Sequence, residues 1–275
     1  MNVETLSVVQ RGRDEAPLFI EEVLISLQKG DVVLDAGCGA GSFLHSKFPA
    51  LFVISVDMKR PDTSVSSRIA PRPLPPNFVI ADVERLPVKA SCIDFVVLNY
   101  VLEHVSDADA TLVEASRVLR RCGLLYAALP NSRSFDDRFY RFAGYFAKYF
   151  LLKVRKRLEH QQRFGFLSIN RLFYGKGFRL LSFCECPSGY TWMNDPRIRR
   201  SHASFLKALS FLKNAFKIDL FSKSNYLTLY QYVGTSGIRT VTHVCAYCGM
   251  QLLREKDRSA DPWKCPYCGL QNVHG

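Results

Sequence analysis

Apolar and polar positions fall into two rhythms along this chain. Short, nearly continuous apolar runs occur at Val32-Val33-Leu34, Leu51 to Val56, Phe78 to Ala81 and Ser91 to Asn99, and the first three are followed at once by an aspartate: Asp35, Asp57 and Asp82. Such runs, bounded by polar turns, read as strands of a parallel sheet covered on both faces. Between and around them the spacing becomes helical. Leu18, Phe19, Val23, Leu24 and Leu27 line one face of a segment from Ala16 to Leu27, with Pro17 suited to its first turn. Asp107 to Arg121 repeats the pattern through Leu112, Val113, Val118 and Leu119, and Gly123 is expected to end that helix. Leu124 to Leu129 reads as the next strand, Ser168 to Lys176 as a short helix closed by Gly177, and Phe178 to Cys186 and Asn225 to Val233 as two further strands. Lys59 to Pro76 carries five prolines and is expected to be an extended loop.

Composition supports one sizeable α/β domain with an appendage: 275 residues, 48% hydrophobic. No apolar run approaches the ~18 residues of a membrane span, and Met1 to Phe19 lacks a signal-peptide pattern, so a cytoplasmic protein is expected. The net charge of +12 is unevenly held. Residues 1–132 carry 13 Lys/Arg against 16 Asp/Glu, residues 133–240 carry 20 against 6, and residues 241–275 carry 4 against 3. The basic second half suits a polyanionic partner, either nucleic acid or an anionic membrane surface, or serves only as a solubilising surface.

The densest chemistry lies between Val33 and Phe43. The run into Asp35 is followed by glycines at 37, 39 and 41, a tight turn into a helix whose N-terminal amides are expected to lie bare for an anionic or polar ligand. Asp57 follows about 20 residues later, the spacing of a ribose-binding acid. With these, the chain resembles the class I S-adenosylmethionine-dependent methyltransferases, particularly the group containing the ubiquinone and menaquinone methylases. The resemblance is carried, in order, by Leu34-Asp35-Ala36-Gly37-Cys38-Gly39-Ala40-Gly41, Asp57, Ala81-Asp82-Val83-Glu84-Arg85-Leu86-Pro87, Asp94-Phe95-Val96-Val97, Val101-Leu102-Glu103-His104-Val105 and Arg117-Val118-Leu119-Arg120-Arg121-Cys122-Gly123. It spans roughly residues 17 to 132 and implies a Rossmann-like, mostly parallel seven-stranded sheet, closed by an antiparallel pair, with the cofactor at the C-terminal strand ends. By the same resemblance, Asp35, Gly37, Cys38 and Gly39 would surround the methionine portion of S-adenosylmethionine. Asp57 and Met58 would meet ribose and adenine, Asp82 and Val83 the adenine edge, and Asn99 and Tyr100 the methyl group. Asp35 and Asp82 could instead simply cap turns.

Two basic, aromatic insertions interrupt this frame, at about 133–165 and 187–224. The first interleaves Phe135, Phe139, Tyr140, Phe142 and Tyr145 with Arg138, Arg141, Arg155, Lys156 and Arg157; the second includes Arg197, Arg199, Arg200 and an expected helix from Ala203 to Phe216. A packed lid, a nucleic-acid groove and an interfacial helix all fit the first pattern.

After Gly234-Thr235-Ser236-Gly237, a plausible linker, the chain changes character. Cys245-x-x-Cys248-Gly249 and Cys265-x-x-Cys268-Gly269, with 16 residues between the pairs, have the spacing of a four-cysteine structural zinc site. Val244 to Leu253 and Trp263 to Val273 are expected as small hairpins of a zinc ribbon. The domain boundaries drawn from sequence are 1–236 for the methyltransferase domain and 237–275 for the ribbon.

A methyl sulfonium is already activated, so its protein needs chiefly to align it with an acceptor, and a base is needed only where the acceptor must lose a proton. His104 and His160 are the candidates for that base; either can equally be structural. The acceptor is expected to be a small or lipid-like molecule, or RNA. An alternative of another class is a catalytically silent adenosylmethionine-binding scaffold that holds RNA or a protein through its basic face and ribbon.

Overall fold

The computed structural model describes residues 23–39, 44, 48–60, 77–132, 162–186, 211, 215, 225–234, 238–246, 251–265 and 270–272. The expected proline-rich loop, most of the expected helix after the glycine turn and both insertions up to Gln161 and from 187 to 224, apart from Phe211 and Ala215, lie outside these residues.

The apolar runs become strands β1 (Val32–Ala36), β2 (Phe52–Asp57), β3 (Phe78–Ile80) and β4 (Ile93–Asn99). They are followed by helix α1 (Ala108–Val118), β5 (Leu119–Pro130), helix α2 (Phe166–Gly175), β6 (Phe178–Cys186) and β7 (Asn225–Tyr232). These seven strands make one sheet in the order β3-β2-β1-β4-β5-β7-β6, with β7 antiparallel to both neighbours. The expected Rossmann-like, mostly parallel sheet with an antiparallel closing pair is what forms.

Alternation along the strands explains why both faces are covered. On β4, Val96 and Leu98 join Leu34, Leu112, Leu125, Ile169 and Phe173 in one cluster, while Phe95 and Val97 join Val33, Val53, Tyr126 and Leu229 in another. Burying side chains on both faces gives the continuous apolar reading of the sequence. At the closing strands, Tyr230 stacks on Phe173 with ring centroids 3.9 Å apart and donates to Asn170 Oδ1 at 2.8 Å. That bond satisfies a phenol that is otherwise fully buried.

One expected boundary moves. Helix α1 is capped by Asp107, whose Oδ1 accepts from the Ala110 N–H at 3.1 Å, but it ends at Val118 rather than near Arg121. Leu119 is already in β5, paired with Ile93. Gly123 is therefore not a helix cap. A Cβ there would lie 2.8 Å from the Arg120 carbonyl oxygen and 2.9 Å from Leu119, so glycine allows the strand to pass a bulge closely. Gly177, at φ +81, does follow α2 as expected.

The C-terminal residues form two hairpins: β8 (Thr240–Val244) with β9 (Gln251–Glu255), and β10 (Trp263–Lys264) with β11 (Gln271–Asn272). The first begins four residues before the expected Val244, because His243 and Thr242 pair with Leu252 and Leu253. These hairpins are packed against the sheet. Phe166, Phe183, Tyr226, Cys245, Leu252 and Cys265 share one apolar cluster, and Arg179 of β6 pairs with Glu255 of β9.

Candidate functional site

The site is assembled where β1, β2 and β4 end. Gly37 and Cys38 leave β1 with their N–H groups donating to the Val56 carbonyl at 2.7 and 3.0 Å, and Gly39 N–H donates to Asp57 Oδ2 at 2.8 Å. These three amides tie the turn to the end of β2, and the N-terminal amides of the helix after it, which were expected to be bare, lie outside the described residues. What the turn offers instead is shape. Gly37 (φ +76) has no room for a Cβ, which would sit 2.5 Å from Val101 Cγ2, whereas at Gly39 (φ +58) a Cβ would meet nothing within 4 Å. Both glycines are required by backbone conformation, but only Gly39 fronts open space.

Asp57 organises this corner. Its Oδ2 accepts from Gly39 and its Oδ1 from the Lys59 N–H at 3.2 Å. A carboxylate has about four acceptor positions, so both oxygens retain capacity toward a diol. Met58 beside it is 66% exposed. Asp35 is buried at the end of β1. Burial first, then the negative charges of Asp35 and Asp57, push the Cys38 thiol up to about 12, so it remains a neutral thiol.

Asp82 caps its own turn: Oδ1 accepts from the Glu84 N–H at 2.9 Å, and the Asp82 carbonyl accepts from Arg85 N–H. Val83 is buried beneath it. Glu84, to which no role was assigned from sequence, ties this turn to the loop after β4. Its Oε1 accepts from the N–H of Ser106 and Asp107 and from the Ser106 hydroxyl, and these bonds, led by that from Asp107, hold its carboxyl below the usual carboxylate range. Glu114 Oε2 likewise accepts from the Leu86 N–H, and Arg117 donates to the Leu86 and Val88 carbonyls. Helix α1 thereby holds the whole 82–88 segment in place. The signal for this was legible in hindsight as an acid at 84 facing an N-cap region rich in backbone donors.

The loop after β4 begins with Asn99, exposed at the strand end, and Tyr100, 39% exposed at φ +58. A tyrosine in the left-handed region stores about 1 kcal/mol or more of strain, a cost commonly found at functional sites. Val101 covers Gly37, and His104 N–H closes a turn onto the Val101 carbonyl at 2.8 Å. His104 is exposed. His160, the other candidate base, lies outside the described residues. Glu103, not singled out from sequence, is the unexpected group: it is 1% exposed, and its Oε2 has no hydrogen-bond partner among the described residues. Burial, only partly offset by its own backbone N–H, pushes its carboxyl up to about 7.

The expected S-adenosylmethionine residues are thus brought to one edge of the sheet, with open space over Gly39 and spare acceptor capacity on Asp57. That arrangement fits an adenosyl ligand with an amino-acid tail.

In the C-terminal hairpins, Cys245 and Cys265 are buried in one cluster at the strand ends. Asn272 joins the two hairpins there: its Nδ2 donates to Cys245 Sγ at 3.4 Å and to the Leu270 carbonyl, while its Oδ1 accepts from Ala246 N–H at 2.9 Å. An N–H directed at a cysteine sulfur suits a thiolate ligand. Cys248 and Cys268 lie outside the described residues, and among the described residues no group of three or more metal-binding side chains occurs. Among those residues too, no helix is long and apolar enough to cross a membrane.

Comparison with known proteins agrees with the geometry. Residues 34–127 match the family described as a methyltransferase domain. A malonyl-[acyl-carrier protein] O-methyltransferase of Gallionella capsiferriformans is 41% identical over 105 residues, covering 34% of this chain and 35% of that protein. One of Yersinia pestis is 30% identical over 111 residues, covering 39% and 40%. The matched stretch spans well under half the length of these curated relatives. Among solved structures, an S-adenosylmethionine-dependent methyltransferase of Methanosarcina mazei superposes with TM-score 0.51 at 17% identity, over 78% of this chain and 97% of the other. The YcgJ protein of Bacillus subtilis gives 0.51 at 17%, over 81% and 99%. These structures are similar in fold. The likeness is thus to a methyltransferase domain over residues 34–127 and, in fold, to S-adenosylmethionine-dependent methyltransferases.

Proposed function

We propose that this protein transfers a methyl group from S-adenosylmethionine to an acceptor that reaches the C-terminal edge of the sheet near Asn99 and Tyr100. The observation that carries the reading is the corner built by Gly37, Gly39 and Asp57, rigid in its own hydrogen bonds yet open over Gly39. Asp57 would hold the ribose hydroxyls, Met58 and Val83 would flank the adenine, and Asp35 and the Gly37–Gly39 turn would face the methionine portion. The bound cofactor supplies an activated methyl; the protein supplies alignment and exclusion of water.

The acceptor is a small molecule in this reading. The Gallionella and Yersinia relatives are named for a malonyl carrier acceptor, but their match covers only 34% and 39% of this chain and leaves the acceptor open. The basic insertions provide the second arm of the test, since RNA or an anionic surface would meet them first. A radiolabelled-methyl transfer screen should place label in a metabolite fraction; label in RNA, falling steeply with salt, would overturn the small-molecule acceptor.

The C-terminal hairpins are, in the same proposal, a zinc ribbon closed by Cys245, Cys248, Cys265 and Cys268. Four thiolates leave no open position, so the metal would be structural. Its support is the burial of Cys245 and Cys265 in one cluster and the Asn272 bridge between the hairpins. Elemental analysis should find about one zinc per chain; a metal-free, folded tail would contradict it.

A further inference from the structure

Glu103 is the one buried carboxyl among the described residues with an oxygen left unpartnered. A buried, unsatisfied acceptor costs a folded protein enough that it persists chiefly where it is used. Its position is informative. Glu103 lies in the turn that Val101 and His104 close over Gly37, four residues beyond the end of β4, where open α/β sheets hold their ligands. Its backbone carbonyl accepts the Gln162 N–H at 3.2 Å, and the Gln162 side chain reaches the Val105 and Ser106 carbonyls at 3.3 and 3.0 Å. The chain returning from the first insertion is therefore fastened to the loop that carries Glu103. The residue belongs to the same loop as Val101, which touches the Gly37 turn.

We propose that Glu103 is the proton acceptor of the methyl transfer, and that the acceptor is a protic nucleophile, an O–H or N–H group, which binds with its proton toward Glu103 Oε2. This rests on the adenosylmethionine reading above and names the substrate class for that site. In the step, a lone pair of the nucleophile forms the new bond to the methyl carbon, the carbon–sulfur bonding pair stays on sulfur, and the nucleophile's proton passes to Glu103, which later releases it to water. An ionisable carboxyl with a free oxygen suits such a partner and opposes a carboxylate acceptor, which has no proton to lose and would meet a like charge. The carboxyl's position near neutrality suits it to take a proton at working pH. Burial and its own backbone N–H set the carboxyl's position, and among the described residues no neighbouring charge contributes. His104, adjacent in sequence, serves as the control.

The test needs no acceptor, because S-adenosylmethionine carries a positive sulfonium and S-adenosylhomocysteine a neutral sulfide. If Glu103 faces the methyl, its ionisation favours the charged ligand. Calorimetric affinities of both ligands are measured at pH 6 and pH 8 for wild type, E103Q and H104Q. The ligands' own α-amino groups titrate in this range, so the comparison is wild type against E103Q. The methionine-to-homocysteine affinity ratio should rise about tenfold or more with pH in wild type and H104Q, beyond any rise in E103Q. Equal pH dependence in wild type and E103Q would overturn the proposal, and loss of the rise in H104Q alone would assign the effect to His104. Should E103Q not fold, carboxyl-labelled wild-type protein gives the same answer: one glutamate signal titrating near neutrality should move to lower pH with S-adenosylmethionine and not with S-adenosylhomocysteine. Binding of neither ligand would instead sink the cofactor reading.

Discussion

Two turns at the same edge of the sheet are built on opposite principles. The turn after β1 uses its polar groups internally: Gly37, Cys38 and Gly39 N–H are all paired, with Val56 and Asp57. The turn after β4 holds Tyr100 at a strained φ and Glu103 with an oxygen unpaired in the interior. The first is rigid and can receive a ligand without reorganising, which is how a protein holds a cofactor cheaply. The second carries strain and an unmet acceptor, features that cost stability and are retained where chemistry is done. Preorganisation and stored cost thus lie within one contact of each other, at Val101 against Gly37.

The contrast can be broken most severely at Gly37. Gly37→Ala combines a 2.5 Å approach to Val101 with a positive φ, and should cost about 3 kcal/mol or more in urea denaturation, with cofactor binding lost. A cost under 1 kcal/mol would show that the two turns are not locked together.

Glu103 gives the next largest effect, through pH. Its folded carboxyl, at about 7, lies above the ordinary unfolded value of about 4.3, so the folded state binds the extra proton between them. Its stabilising contribution is complete below about pH 4 and is lost as pH rises through 7, amounting to about 4 kcal/mol at most. The stability difference between wild type and Glu103→Gln should therefore fall across that window and be flat above it. A difference independent of pH would mean that the carboxyl is not held in a dry site.

Asp57→Ala should weaken S-adenosylmethionine binding by about 2 kcal/mol, through lost hydrogen bonds to a charged acceptor, with a smaller loss of stability from the freed Gly39 amide. The smallest effect sharpens the comparison furthest. Gly39→Ala should cost only about 1 kcal/mol in folding, since its Cβ meets nothing, yet should weaken cofactor binding more than it weakens the fold. Equal effects on both would mean that the open space over Gly39 is not the binding surface.

Much of this architecture could be read before the structure. Seven strands follow from apolar runs, the central ones buried on both faces, and the Gly37–Gly39 turn and Asp57 from glycine and acid spacing. What escaped depends on partners distant in sequence. Nothing local shows that Val56 would accept the Gly37 and Cys38 amides. Helix α1 ends early because Leu119 pairs with Ile93, which periodicity within the helix cannot register. Glu103 and Glu84 stand in one apolar-rich stretch and one turn, and only the folded loop shows the first carboxyl buried without a partner and the second clamping Ser106 and Asp107. The C-terminal hairpins were expected at the cysteine pairs; their fastening to β6 through Arg179 and Glu255 was not.

Calorimetric titration of the purified chain with S-adenosylmethionine tests the central claim most directly. The expected result is one site per chain, weakened by about 2 kcal/mol in Asp57→Ala. No heat of binding to a folded wild-type protein, or unchanged affinity in Asp57→Ala, would contradict the assignment of the corner between β1 and β2 as the cofactor site.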